Sequence, residues 1–461
     1  MCEKFNYKLD LEEISKIFKF SEKGLTHKSG FRYKLLPYAA NEKTLVSEFS
    51  GVVGAFSRMI SNKELKGVFD VSNFIDEVAD SVGEYEGDSS KEVFKDIVRT
   101  MFINENNLVD FDIKTINYIS STSADEKIAK FLFSVLFDKD LAEEVRNHYD
   151  REVNNILYKL VLNALPKLKE KNFSNDEYKC YLPFIRDLFI KDLRFLLNNE
   201  ELFKNSLKRF LEYYYMFYVS QLSMKLKSFE KADLTTPDKL YYTLDWESIS
   251  KNRTAYQFGL EKLKGSVNSL FSHAITLELL NYHSLDNQFG YIELADIFNK
   301  NDKKDIEDEI LSIFEAYTRQ IKDKSWDDFK ELKRETETNG FKYVYKLFDA
   351  IEYQFSKSSR TRAYEAYKNW FVRFVNENFA KRRGQLGYNL NMTEEDIILM
   401  TKICIGDNER MKLNKLFNEF EIRGISFDRD SKIKIVQLYE KLNLLEKKSD
   451  SGDAQYVRSV L

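Results

Sequence analysis

The chain is poor in the residues that punctuate or staple a fold. Of 461 residues only 4 are proline and 16 are glycine, too few for collagen-like, low-complexity or turn-rich all-β architectures. Its three cysteines, Cys2, Cys180 and Cys404, stand far apart, which excludes a disulfide framework and zinc-ligand spacing and fits a reducing cytoplasm. Neither sign of charge dominates: 71 Lys and Arg face 75 Asp and Glu, a net charge of −4. A protein permanently coated by nucleic acid is usually basic, so any nucleic-acid contact here is expected to be local. Long hydrophobic runs are also missing. The most apolar stretch, Phe210–Val219, contains Glu212 and has about half the length needed to span a bilayer, so it reads as a buried helix and no membrane association is expected. No basic segment followed by an apolar core suggests a secretory signal.

Catalytic motifs are equally scarce. There is no Gly-x4-Gly-Lys-Ser/Thr loop, so the backbone cradle for nucleotide phosphates is missing and ATP hydrolysis by this chain is not expected. His-x-x-x-His, Cys-x-x-Cys and Gly-x-Ser-x-Gly are absent. The four histidines are His27, His148, His273 and His283. On one helix the ten-residue spacing of the last two separates their rings by about 15 Å along the axis, too far to share a metal, so both read as core or interhelical side chains. No catalytic residue, metal or cofactor is assigned.

What is present is helical periodicity. Long Lys/Glu/Leu/Phe-rich blocks predict a mainly α, multi-domain protein, and aromatic residues at 15% are expected chiefly in its core. Helices are expected near 43–59, with Gly51 and Gly54 admitting a close neighbour, and near 71–82, 91–102, 126–137 and 203–229. A long helix is expected over 358–381. The Lys231–Pro237 stretch reads as a linker. Four segments follow: an N-terminal helical domain 1–150, a helical domain 151–230, a central helical domain 238–383 and a winged helix-turn-helix 384–461.

That last segment is the most specific. Thr393 can cap a helix whose first turn is acidic. A second helix from about Arg410 carries Leu413, Leu416, Phe417 and Phe420 and stops at Gly424. A third opens at Phe427-Asp428-Arg429, with Ile433, Val436 and Leu438 expected inward. Asp450-Ser-Gly-Asp453 then turns between two strand-like runs. The third helix offers Arg429, Lys432, Lys434 and Gln437 to a DNA groove, and Lys447, Lys448 and Arg458 lie on or beside the wing. Acids at Asp428, Asp430, Asp450 and Asp453 would repel phosphate. Gly452 is expected at positive φ, and the turn formed by Asp450, Gly452 and Asp453 is expected to dock a basic surface of a partner protein.

Two further clusters bear on binding. Lys357, Arg360, Arg362, Lys368, Arg373, Lys381, Arg382 and Arg383 face only Glu365 and Glu377, so a helix carrying them could contact DNA phosphates. Asp245-Trp-Glu-Ser-Ile-Ser-Lys-Asn-Arg253 reads as structural, with Ser248 or Ser250 capping a helix, Trp246 anchored and Arg253 bridging to Asp245. Its surface, Trp246 included, is also a candidate partner contact. Asp110-Phe-Asp112-Ile-Lys114 resembles the acid-x-Lys fragment of a metal-dependent nuclease but lacks flanking strands to present it, and reads as a loop.

The blocks Leu36-Pro-Tyr-Ala39, Leu240–Glu247, Ser272-His-Ala274 to Leu279-Leu-Asn281, and above all the ending Lys448-Ser-Asp-Ser-Gly-Asp-Ala-Gln-Tyr-Val457, resemble the DptG family, also called DndG. These are the G subunits of bacterial DNA phosphorothioation-dependent restriction systems. The resemblance implies a non-catalytic scaffold in an antiviral defence complex that attacks double-stranded DNA lacking the modification. It implies two partner subunits, DptF and DptH, which carry the nucleotide-hydrolysing machinery, and it carries over no catalytic residue. Two other readings stay open at this level: a metal-dependent nuclease around Asp110, Asp112 and Lys114, and a winged-helix transcriptional regulator.

Overall fold

Helix starts are set by short polar side chains that satisfy free amides. Asp70 accepts from Asn73 N–H, Asn199 from Leu202 N–H and Asp428 from Ser431 N–H, while Thr122 and Asp125, and Thr393 and Asp396, form reciprocal capping boxes. The computed structural model describes residues 6–37, 48–66, 69–87, 89–104, 107–109, 111–174, 176–284, 287–357, 360–447 and 455–460. The protein is mainly α, with 19 α-helices and four small sheets among the described residues.

Thirteen of those helices build the frame: α1 (Ser50–Ser61), α2 (Val71–Ser81), α3 (Ser90–Phe102), α4 (Ser123–Leu136), α5 (Ile156–Ala164), α6 (Pro183–Leu197), α7 (Glu200–Leu226), α8 (Leu270–Leu280), α9 (Phe341–Lys357), α10 (Thr361–Asn378), α11 (Glu394–Ile405), α12 (Leu413–Ile422) and α13 (Arg429–Lys441). The spine is α7, about 40 Å long, in which every residue from Phe210 to Leu226 is buried. A helix buried on every side belongs in the middle of a large core, and one continuous core runs from Tyr7 to Val457, through all four segments drawn from the sequence. A second, separate core is small. It consists of Phe74, Ile75, Val78, Val98, Phe102, Val161, Ala164 and Leu165, contributed by α2, α3 and the region of α5.

The close approach at α1 is as expected. An added Cβ would stand 2.3 Å from the Asp125 carboxylate at Gly51 and 2.4 Å from the Ile119 carbonyl oxygen at Gly54, so α4 and its leading turn pack directly on the α1 backbone. The buried carboxylate of Glu278 on α8 accepts amides from Gly30 (2.9 Å), Phe31 (3.2 Å), Arg32 (2.9 Å) and Tyr33 (3.0 Å), and the Tyr282 hydroxyl at 3.1 Å. Burial pushes its pKa up, against the pull of these hydrogen bonds. This contact fastens the N-terminal loop to the central helix. His273 is a core side chain, its Nδ1 3.0 Å from the Tyr291 hydroxyl and its ring stacked on Phe348 at 4.4 Å.

The helix expected over 358–381 is present as α10, Thr361–Asn378, and ends earlier than expected: Ala380–Arg382 is a strand, β2. Gly384 and Gly387 adopt φ of +56° and +71°, conformations that cost a side chain with a Cβ, and turn the chain back. Tyr388–Met392 (β3) therefore pairs antiparallel with β2, and its other edge pairs in parallel with Thr243–Leu244 (β1).

Beyond β3 the order is α11, strand Arg410–Lys412 (β4), α12, α13, strand Leu445–Lys447 (β5) and strand Gln455–Arg458 (β6). The three strands form an antiparallel sheet in the order β4-β6-β5. The strand before α12 was not expected from sequence; its three residues are too few to show an alternating pattern.

Candidate DNA- and partner-binding surface

Three aspartate–arginine contacts, one for each of its helices, fix the C-terminal unit on the body. At α11, Arg209 on the spine holds Asp396 through two hydrogen bonds of 2.6 and 2.9 Å, donates to the Asn378 carbonyl, and lies 4.1 Å over the Phe379 ring. At the end of α12, Arg423 grips Asp192 of α6 through bonds of 2.8 and 2.6 Å and Glu419 at 2.8 Å, with both members of the first pair essentially without solvent contact. Tyr214 donates to Asp192 at 2.6 Å and the Tyr213 hydroxyl donates to the Arg423 carbonyl. The next residue, Gly424, has φ +76° and sits where a Cβ would be 2.4 Å from the Phe217 ring. No larger residue fits between α12 and the spine.

The third contact closes the start of α13. Arg253 donates to Asp428 at 2.7 and 2.6 Å, to Glu247 at 3.1 Å and to Ser431 Oγ at 2.9 Å, while Ser431 donates to Glu247 at 2.8 Å. Hydrogen bonding to Asp428 raises the Arg253 pKa further. Burial alone would raise the Asp428 pKa, but the bonds from Arg253 and from the Ser431 and Ala255 amides outweigh it and hold the carboxyl below its ordinary value. Arg253 thus bridges to Asp428 and Glu247 and not to Asp245, whose carboxylate pairs with Lys381. Neither Ser248 nor Ser250 caps a helix; Arg253 occupies that position before the short helix Thr254–Gln257. Trp246 is half-buried against the main core.

The phase of α13 differs from expectation. Ile433, Val436 and Leu438 cannot all face inward, because residues two apart on a helix, such as Val436 and Leu438, point in nearly opposite directions. With Ser431 pinned at Glu247, the inward face is Ser431, Ile435, Leu438 and Tyr439, and Ile433 is 47% exposed. The outward stripe is therefore Arg429, Ile433, Gln437 and Lys441. Lys432 pairs with Glu421 at 3.2 Å and covers Phe417, and Lys434 donates to Gln437 at 3.2 Å. Beside the hairpin, Lys447 pairs with Glu440, and both Arg410 and Arg458 pair with Glu446. Lys448, Asp450, Gly452 and Asp453 lie outside the described residues.

The basic cluster does not share one face. Arg360 pairs with Asp323 and donates to Gln354. Lys368 pairs with Glu365, and Arg373 with Glu377 on the surface of α10. Arg383 is structural: it donates to the carbonyls of Glu247 (3.0 Å) and Leu244 (2.5 Å) and to Asn391 (3.0 Å), and burial lowers its pKa. Arg362 and Arg382 are exposed and make no ion pair among the described residues. Sequence proximity therefore overstated the cluster: these cations are spread over α10, β2 and the turn that follows.

Asp112 in the nuclease-like fragment caps a short 3₁₀ helix, accepting from Lys114 N–H at 2.8 Å, and Lys114 Nζ donates to the Arg151 carbonyl at 2.7 Å. Asp110 lies outside the described residues. Among the described residues no group of three or more His, Cys, Asp or Glu side chains is placed to hold a metal ion, and no helix is long and apolar enough to cross a membrane. Arg209, Asp192 and Arg423 were not singled out by sequence reasoning. An arginine next to a helix-ending glycine gives no sign of whether it points to solvent or into the core. No protein-family model and no curated protein matches this chain.

Proposed function

We propose that residues 393–458 form a winged helix-turn-helix and that the chain is a non-catalytic subunit holding double-stranded DNA in a phosphorothioation-dependent restriction complex, docked to DptF and DptH. The observation that carries this reading is the order helix, strand, helix, helix, hairpin together with the β4-β6-β5 sheet. That arrangement is consistent with the winged-helix plan, and the family resemblance supplies the system. The start of α13 is occupied by Arg253, so DNA is met by the outward stripe of that helix. Arg429 and Gln437 face the groove there, and Arg382, exposed on the β2 edge of the β1-β3-β2 sheet, supplies a phosphate contact. Phosphate contacts contribute affinity regardless of base sequence, which suits a subunit that holds DNA and leaves cleavage to its partners.

Titration of a duplex against the purified chain tests this reading. Arg382→Glu and Arg429→Glu each reduce affinity for unrelated sequences alike and lower the slope of log affinity against log salt by about one. Unchanged affinity and slope in both variants would remove the DNA reading, and tight binding to a single sequence would identify a regulator. Failure of the chain to copurify with DptF and DptH when the three are co-expressed would remove the assignment to the complex.

A further inference from the structure

The small second core carries more apolar surface than its own folding uses. On α3 the inner positions Phe94, Val98 and Phe102 pack into that core. The neighbouring positions Val93, Ile97 and Met101, four residues apart and so aligned along one face, are 56%, 47% and 49% exposed. This stripe is about 12 Å long, and Val109, itself 37% exposed and hydrogen-bonded to the Phe102 carbonyl, stands at its end. Bare aligned apolar side chains on a folded unit mark a contact surface.

Charge indicates what covers the stripe. Residues 69–104 carry nine acids and three bases, a net charge of −6 in a chain whose total is −4. Glu92 and Asp96, each one position before a stripe residue, are exposed beside it. Lys91 and Lys95, two of the three bases, are neutralised by Asp80 and by Asp76 and Glu92. DNA and anionic lipid are repelled by such a surface, and a second copy of the chain would bring like charges together across the stripe.

We infer that α3, flanked by α2, docks a basic amphipathic helix of a partner protein, whose apolar side chains cover Val93, Ile97 and Met101 and whose Lys or Arg residues meet Glu92, Asp96 and the acidic face of α2. Helix-on-helix docking through anchors at i, i+3/i+4 and i+7 is a standard recognition mode.

Selection from a displayed library of random helical peptides on the full-length chain tests the inference. The enriched peptides carry net positive charge and apolar residues at i, i+3/i+4 and i+7, and their binding weakens as salt is raised. Ile97→Glu weakens them about tenfold, and so does Glu92→Lys with Asp96→Lys, a second variant that leaves the stripe in place. Melting temperature, read in parallel, is unchanged in both, because all three positions are exposed. Enrichment of neutral or acidic peptides, enrichment insensitive to both variants, or no enrichment overturns the inference. So does concentration-dependent dimerisation that Ile97→Glu abolishes, which would make a second copy the occupant.

Discussion

The C-terminal unit and the small-core unit around α2, α3 and α5 are both small, mostly helical bodies, but they are held in place by opposite means. The C-terminal unit shares the main core, and each of its three helices is tied at one end by an arginine–carboxylate contact withdrawn from solvent to a different degree, Arg423–Asp192 completely. The small unit closes on eight buried residues of its own, and its ion pairs, such as Lys91–Asp80, lie at the surface. A surface pair contributes little, a few tenths of a kcal/mol up to about 1. A buried pair fixes orientation, because removing one partner leaves an uncompensated charge in a dry interior. One unit is therefore fixed at a defined angle to the body. The other keeps its charges in water, where they act on a partner.

The largest effect that would break this contrast concerns Arg423. Arg423→Met costs about 3–5 kcal/mol by stranding Asp192, and adding Asp192→Leu recovers most of that loss. Urea unfolding of the single and double variants measures it, and a single variant as stable as the parent would show the pair to be dispensable. Second, Phe102→Ala opens the small core at a cost of about 3 kcal/mol. Hydrogen exchange is expected to accelerate in α2, α3 and α5 while the amides of α7 keep their protection. Equal acceleration in both regions would mean that the two cores unfold as one.

A smaller effect sharpens the contrast through pH. Burial, reinforced by the charges of Arg334 and Lys227, holds the His273 pKa well below its ordinary value of 6.5. The unfolded chain therefore takes up a proton below pH 6.5 that the folded chain refuses. The stability is fully present above that pH and is lost as pH falls, by about 1.4 kcal/mol per unit at most. Unfolding followed between pH 7 and 5 shows a shallower slope in His273→Phe; an identical slope would assign the acid sensitivity to other groups. The smallest effect belongs to the docking stripe. Ile97→Gln changes stability by no more than about 0.5 kcal/mol, and a larger loss in thermal melts would show that the stripe is part of the fold.

Local chemistry was legible wherever one turn of chain decides the outcome. Thr393 with Asp396 starts α11 as expected, Gly424 ends α12, and Gly51 and Gly54 admit a neighbour. The long helix expected over 358–381 is present but stops at Asn378, because the chain is already extending into the strand that the glycines at Gly384 and Gly387 turn back. In the candidate surface, Arg429 proved exposed as expected, while Arg360 and Arg383 proved to be internal ties. The small core escaped notice because its residues come from three helices spread over Phe74 to Leu165, with α4 of the main core between them in sequence.

By itself the sequence determined a mainly α chain, a buried aromatic helix, the capped start of the first C-terminal helix and the absence of the usual nucleotide-binding loop. Each of these depends on periodicity or on neighbours a few residues apart. Tertiary structure alone decided which charges are solvated and which are internal. Arg209 meets Asp396 across 187 positions, Arg253 meets Asp428 across 175, and Arg423 meets Asp192 across 231. An arginine that binds phosphate and one that anchors a helix are the same residue in sequence. Only the packing of distant elements removes water from one and leaves it on the other.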